Sequence, residues 1–300
     1  MRTFQTHDGI TIRYSTYTCR PSACKGTVVL LGGRTEFIEK YWETVDDLLE
    51  RNFDVFTFDW RGQGLSDRML PNRHKGYVAS YDDYLKDLDY FMVSHVMPRA
   101  KQPIIILAHS MGAHITLRYL HDYPESVDRA ILTSPLIDIA GPKLFSQFLK
   151  LLVGFVTALG FKTSYASRAM DFDPSKKRFQ GNRLTRDKRR FQDTIAKITE
   201  NPALAVGGVT FGWLAATFTS IQLLLTEKYC QQIKTPILII SAGSDKIVSN
   251  KSQQLVCRRM QNCRLITISG ALHELLIESD TVRNQIWAHF DDFVLGADRI

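Results

Sequence analysis

The sequence lacks the marks of a membrane span, a disulfide scaffold and a metal centre. Its longest apolar stretch, LFSQFLKLLVGFVTALGF at 144–161, is interrupted by Lys150. A bilayer-crossing helix needs about 20 predominantly apolar residues, so this run is too short and too broken. Cysteine is scarce, with thiols only at positions 19, 24, 230, 257 and 263. None forms a C-x-x-C pair, and no Cys/His group has metal-ligand spacing, which predicts reduced thiols, no metal and a cytoplasmic protein. Residues 1–14 lack the unbroken apolar core of a secretory signal. They alternate around Asp8-Gly9 instead, which predicts a hairpin. There is no internal repeat and no low-complexity linker.

What is present suits a large folded enzyme domain. The chain has 300 residues, 44% apolar and 23% charged, proportions of an ordinary soluble protein with a sizeable core. The net charge of +7 is unevenly placed. Residues 136–234 carry 15 Lys and Arg against 7 Asp and Glu, an excess of +8 that leaves the remainder at −1.

Short apolar runs recur along the chain: GTVVLL at 26–31, FDVFTF at 53–58, PIIIL at 103–107, RAILT at 129–133, PILIIS at 236–241 and RLITI at 264–268. Continuous runs of this kind predict strands buried on both faces of a parallel sheet. Helical periodicity fills the gaps at 41–51, 81–96 and 114–123. Alternating strands and helices predict an α/β fold, a mostly parallel central sheet with helices on both faces. Residues 136–234 break the rhythm, being helical in pattern without a convincing strand. They predict a helical cap inserted between core strands, with 1–135 and 235–300 forming the core.

The strongest local signal is Ala108-His109-Ser110-Met111-Gly112, directly after the strand at 104–107 and before a helix. A sharp strand–turn–helix holds a serine exposed only where its neighbours two before and two after are small. Gly112 and Ala108 satisfy this, although Ala108 stands where glycine is usual. A serine capping a helix after a strand is the plainer alternative. Asp245 follows the strand at 236–241, and His273 follows the strand at 264–268. Both lie just past strand ends, where catalytic groups collect in open α/β sheets, in the chain order Ser, Asp, His. In these roles His273 takes the Ser110 proton and Asp245 orients the imidazole. Developing negative charge would meet the backbone N–H of Met111 and that of Arg34, in the Gly32-Gly33-Arg34 loop after the first long core strand.

The sequence resembles the monoacylglycerol lipase and bacterial lysophospholipase group of α/β-hydrolases, the serine aminopeptidase S33-type domain. The likeness rests on GGRTEF at 32–37, FDVFTFDWRGQGLSDR at 53–68, AHSMGAH at 108–114, TSPLIDI at 133–139, NPALAVGGVTFGW at 201–213, SAGSDKIV at 241–248 and GALHELLIESD at 270–280. It implies the α/β-hydrolase fold and hydrolysis of single-chain lipid esters through an acyl-enzyme on Ser110, with no metal or organic cofactor. It also implies Asp245 and His273 as partners and Arg34 and Met111 as oxyanion donors. Two positions depart from the usual pattern: Ala108, and Gly32, where many relatives have histidine.

Within the predicted cap, Phe148, Leu152 and Phe155 fall at helical spacing and are candidates to line an acyl-binding slot. The basic run from Lys176 through Arg190 would attract an anionic membrane surface or a lysophospholipid phosphate, or only solvate a helix face. Without a recognition motif it does not indicate nucleic acid. The expected partner is therefore a lipid or small ester, with peripheral contact at the inner membrane face. Hydrolysis of smaller esters or lactones, and ligand binding without catalysis, remain open as alternatives.

Overall fold

The computed structural model describes residues 2–20, 23–166 and 169–296. Strands β1 (Arg2–Gln5) and β2 (Thr11–Tyr17) form the expected hairpin, with Arg2 opposite Tyr14. There follow β3 (Gly26–Leu31), α1 (Trp42–Glu50), β4 (Phe53–Phe58), α2 (Tyr81–Phe91), β5 (Ile104–His109), α3 (Ser110–Asp122) and β6 (Arg129–Thr133). Helices α4 (Lys143–Ala158), α5 (Lys188–Glu200), α6 (Phe211–Leu224) and α7 (Glu227–Gln231) separate β6 from β7 (Ile237–Ala242). Helix α8 (Asn250–Arg259), β8 (Cys263–Ile268) and α9 (Asp280–Leu295) complete the described chain.

The strands make one eight-stranded sheet in the order β1-β2-β4-β3-β5-β6-β7-β8. Every pairing from β4 to β8 is parallel, and the hairpin joins β4 antiparallel. Strands β3, β4, β5 and β7 are buried along their whole length. Alternation then sorts their side chains by face. Val29, Leu31, Ile106 and Leu132 pack with Leu88 and Phe91 of α2, Leu117 of α3 and Ile221 of α6. Val28, Leu30, Ile105 and Leu107 pack with Leu48 of α1 and Trp287 and Phe290 of α9. Each fully buried aliphatic or aromatic side chain is worth roughly 1.5–3 kcal/mol of transfer free energy, so this two-sided core dominates stability.

Four expectations are corrected. Strand β8 is not buried on both faces; it is the sheet edge, and only Ile268 is buried along it. The helix expected at 114–123 begins at Ser110. The helix expected at 81–96 is α-helical to Phe91 and π-helical over Met92–Val96. Finally, Cys19, Cys24 and Cys230 are free as expected, but Cys257 and Cys263 form a disulfide. The chain turns between α8 and β8 and brings their Cα atoms to 5.3 Å, a proximity that an x5 spacing does not announce.

Helices α4 and α6 pack together. Helix α6 is drawn into the main core through Leu214, Phe218, Ile221 and Leu224. Among the described side chains of α4 only Val153 is fully buried, and Leu144, Phe148, Leu151, Phe155 and the following Leu159 face solvent. Among the described residues no helix is long and apolar enough to cross a membrane.

Candidate active site

Parallel strands deliver the site to one edge of the sheet. Ser110 follows β5 directly, Arg34 follows β3, Asp245 follows β7 and His273 follows β8. Strands β3 and β5 are neighbours, with Leu31 opposite Ala108, so the Arg34 loop and Ser110 share the crevice beyond their carboxyl ends. The chain leaves β3 to β4 on one side and β5 lies on the other, which makes this crevice the switch point where open α/β sheets bind ligands.

Ser110 has φ +49°. Left-handed backbone at a residue with a Cβ costs about 1–3 kcal/mol and persists only where packing over-determines it. Here the packing is close. A Cβ at Gly112 would lie 2.5 Å from the Gly32 carbonyl oxygen, and one at Gly33 would lie 3.2 Å from the Ser110 Cβ. Glycine at these two positions lets the start of α3 press against the end of β3. Ala108 is fully buried between Leu31 and Leu132, and its methyl group fits.

Ser110 Oγ lies 3.0 Å from His273 Nε2, and His273 Nδ1 lies 2.7 Å from Asp245 Oδ2. Ser110 and His273 are both buried, at 8% and 5% exposure. Burial opposes ionisation of Asp245. The His273 contact and the N–H groups of Ile247 and Val248, at 2.8 and 3.1 Å from its Oδ1, nevertheless hold its pKa below the usual carboxylate value. A fixed carboxylate thus holds the imidazole, which faces a hydroxyl at proton-transfer distance.

The Arg34 loop is fastened from beneath. Buried Glu36 accepts from the Gly33 N–H, from Tyr41 Oη at 2.5 Å and from Lys40 Nζ at 2.8 Å. Lys40 also meets Glu274, beside His273, at 2.7 Å. Burial would raise the Glu36 pKa, but the Lys40 charge brings it down to about 2. His109 is pushed to about 4 by burial, so it is neutral at pH 7. Trp60 Nε1 donates to the Gly32 carbonyl at 2.8 Å, Gln63 Nε2 donates to that of Gly33 at 3.2 Å, and the Thr35 N–H donates to Gln63. Thr35 itself has φ +62°. The Arg34 N–H finds no acceptor among the described residues. The expected donors Arg34 and Met111 both line the cavity that holds Ser110 and His273.

That cavity has a volume of about 280 Å³ and is walled by Leu136, Ile139, Val209, Trp213, Ile247 and Val248. Phe148, Leu152 and Phe155, expected in its lining, are absent from it and stand 62%, 39% and 64% exposed. The reason is the orientation of α4, which turns Leu149 and Val153 toward α6 and these three outward. The acyl-sized space is lined by α6 and by the loops after β6 and β7 instead. Sequence reading also missed the Glu36–Lys40–Glu274 network. Glu36 and Glu274 lie within motif segments, but their meeting across Lys40 is a tertiary fact.

One grouping of metal-type side chains exists among the described residues, Cys19, Cys24 and Asp54. Asp54 lies at the amino end of β4, opposite the edge that carries Ser110. Lys101 Nζ lies 3.7 Å from its carboxylate, which supplies a counter-charge.

A mostly parallel sheet bearing a left-handed serine, an aspartate and a histidine in this chain order defines an α/β-hydrolase. The family model described as "Serine aminopeptidase, S33" matches residues 22–280, and the chain belongs to that family. Lysophospholipase L2 of Escherichia coli is 30% identical over 270 residues, covering 86% of this chain and 76% of that protein. Monoglyceride lipase of Rattus norvegicus is 23% identical over 277 residues, covering 90% and 82%. Among solved structures, a monoglyceride lipase from Saccharomyces cerevisiae superposes with TM-score 0.76 at 19% identity, covering 98% of this chain and 94% of that one.

Proposed function

We propose that the protein hydrolyses carboxylic esters of single-chain lipids through an acyl-enzyme on Ser110. The observation that carries this reading is the Asp245–His273–Ser110 chain of hydrogen bonds, at 2.7 and 3.0 Å, opening onto an apolar cavity. Ser110 Oγ attacks the ester carbonyl carbon while His273 Nε2 takes its proton. The tetrahedral oxyanion is received by the N–H groups of Arg34 and Met111. His273 then gives the proton to the departing alcohol oxygen, and the C–O bond breaks. Water, deprotonated by His273, attacks the acyl-enzyme and releases the fatty acid, and Ser110 recovers its proton. Asp245 holds the imidazole tautomer and stabilises its cation throughout.

In this reading residues 136–234 are a cap on the core formed by 1–135 and 235–300. The apolar face of α4, with Leu144, Phe148, Leu151 and Phe155 exposed, supports peripheral contact with a lipid surface, from which a single-chain lipid would enter. The basic run fits that contact less well than the sequence suggested. Arg190 is buried against Glu43, Asp187 and Asp280, and Arg189 faces Glu43 and Asp193.

The test is fatty-acid release from lysophospholipids and monoacylglycerols of graded chain length. Release by the wild type and loss of about 10⁴-fold or more in Ser110→Ala are expected. Equal release by the variant sinks the reading, and a preference for acetyl and lactone substrates moves it to small esters.

A further inference from the structure

A second cavity, of about 360 Å³, adjoins the one that holds Ser110. The two share Arg34, Thr35, Leu184 and Glu274 in their walls. Aliphatic side chains and Trp213 line the first beside the Ser110–His273 pair, and Phe172, Phe191, Ile195 and Ile198 line part of the second. The second has a cationic side formed by Arg34 and Lys177.

The Arg34 guanidinium is under-partnered. Its Nη2 donates to the Gly207 carbonyl at 2.6 Å, and its Cζ lies 5.4 Å from the centre of the Trp213 ring. Its Nε is buried without an acceptor. No carboxylate reaches it among the described residues. Nε of Arg68 and of Arg118 is also buried without an acceptor, but the Arg118 guanidinium pairs with Asp82 and Ser220. Arg13 holds Glu39 and Asp59, Arg61 holds Asp8 and Asp87, and Arg190 holds three carboxylates. Arg68 has no carboxylate either, but carbonyls of Gly64, Ser66, Ala203 and Ala205 surround it. Burial lowers the Arg34 pKa to about 10, so it stays charged at pH 7.

Lys177 stands at the exposed rim of the same cavity. Its ammonium lies 5.1 Å from the centre of the Phe172 ring and has no carboxylate partner among the described residues. Burial, and then the Arg34 charge, lower its pKa. The carboxylates in this wall are already engaged. Asp171 accepts from Tyr165 Oη and from Asn72 Nδ2, and Glu274 meets Lys40. A charge removed from water with few acceptors is costly until an anion arrives, and a guanidinium fork matches phosphate oxygens in pairs.

We propose that Arg34, assisted by Lys177, binds the phosphodiester on the alcohol side of the scissile ester, so that this enzyme prefers lysophospholipids to monoacylglycerols. Resting on the Ser110 reading above, it places the acyl chain in the apolar cavity and the head group in the second. One residue then serves both ends of the reaction centre, with its backbone N–H toward the carbonyl oxygen and its side chain toward the phosphate.

The experiment compares lysophosphatidylethanolamine with monoacylglycerol of the same chain, in neutral detergent micelles, for wild type, Arg34→Gln, Arg34→Lys and Lys177→Gln. Arg34→Gln is expected to cut kcat/KM for the phospholipid at least tenfold more than for the monoacylglycerol, mainly through KM. Arg34→Lys should recover part of that ratio, and Lys177→Gln, at the exposed rim, should shift it about threefold. Glycerophosphoethanolamine should inhibit wild-type monoacylglycerol hydrolysis competitively, and Arg34→Gln should resist it. Parallel losses on both lipids overturn the phosphate site while leaving the hydrolase reading intact. Inhibition by inorganic phosphate at equal strength assigns the pocket to free phosphate and overturns the lipid preference. Absence of fatty-acid release from both lipids by wild type overturns the hydrolase reading, and this one with it.

Discussion

In β5 every residue from Ile104 to His109 is buried, whereas on α4 Leu144, Phe148, Leu151 and Phe155 face solvent. Both segments are rich in apolar side chains, and their consequences differ. The β5 side chains are enclosed by two helical layers and contribute to stability. The α4 side chains are left in water, which disfavours them unless something apolar covers them. Hydrophobicity thus supports the fold in one region and leaves an uncovered apolar face in the other. The charges divide in the same way. Arg61 and Arg13 are locked by carboxylates in the core, while Arg34 and Lys177 face a cavity with few acceptors.

The largest expected effect tests whether the sheet edge is the chemical centre. Asp245→Asn should lower kcat by about 10⁴-fold while the protein folds normally, because the amide favours the wrong imidazole tautomer. A loss below tenfold in steady-state ester hydrolysis would remove Asp245 from the mechanism.

The next test breaks the comparison of β5 with α4. Ile106→Ala should cost about 2–5 kcal/mol in denaturant unfolding, because it opens a cavity in a sealed core. Phe155→Ser should change stability by no more than about 0.5 kcal/mol. Similar losses at the two positions would mean that α4 is buried against something in solution.

On lipid vesicles the order should reverse. The triple change Phe148→Ser, Leu151→Ser and Phe155→Ser should raise KM for vesicle-borne substrate at least about tenfold, since each buried apolar side chain is worth roughly 1.5–3 kcal/mol of transfer and about 1.4 kcal/mol is tenfold. An unchanged KM in a vesicle assay would leave α4 without a role in lipid contact.

The last test concerns the join between the regions. His114 of α3 lies 2.6 Å from the Leu136 carbonyl and 2.6 Å from Ser220 Oγ of α6. Burial lowers its pKa from 6.5 to about 3. The unfolded chain therefore takes up this proton first as pH falls. The stability that depends on neutral His114 is fully present above pH 6.5 and is lost progressively as pH drops below it. The stability gap between wild type and His114→Gln should narrow between pH 6.5 and 4, by about 1.4 kcal/mol per pH unit at most. Urea titrations across that range would show it, and a constant gap would refute it.

The parallel strands were legible because a strand buried on both faces must be predominantly apolar, and β3, β5 and β7 are. Strand β8 was read the same way although Arg264 and Thr267 interrupt it, and it lies at the edge, because position in a sheet depends on the order of strands. The order Ser110, Asp245, His273 was legible because each follows a strand. The acyl-cavity lining was not. Helical spacing on α4 shows that an apolar face exists, and only the packing of α4 on α6 decides which way it points.

The sequence alone determined the α/β alternation, the tight turn at Ser110 and the candidate partners Asp245 and His273, because these depend on local periodicity and on side-chain size near a turn. Tertiary structure alone decided that Cys257 meets Cys263, that Lys40 bridges Glu36 and Glu274, and that Arg34 is left under-partnered between two cavities. Each of these depends on distances between segments far apart or turned sharply in the chain. No residue spacing encodes such distances until the sheet and its helices have packed.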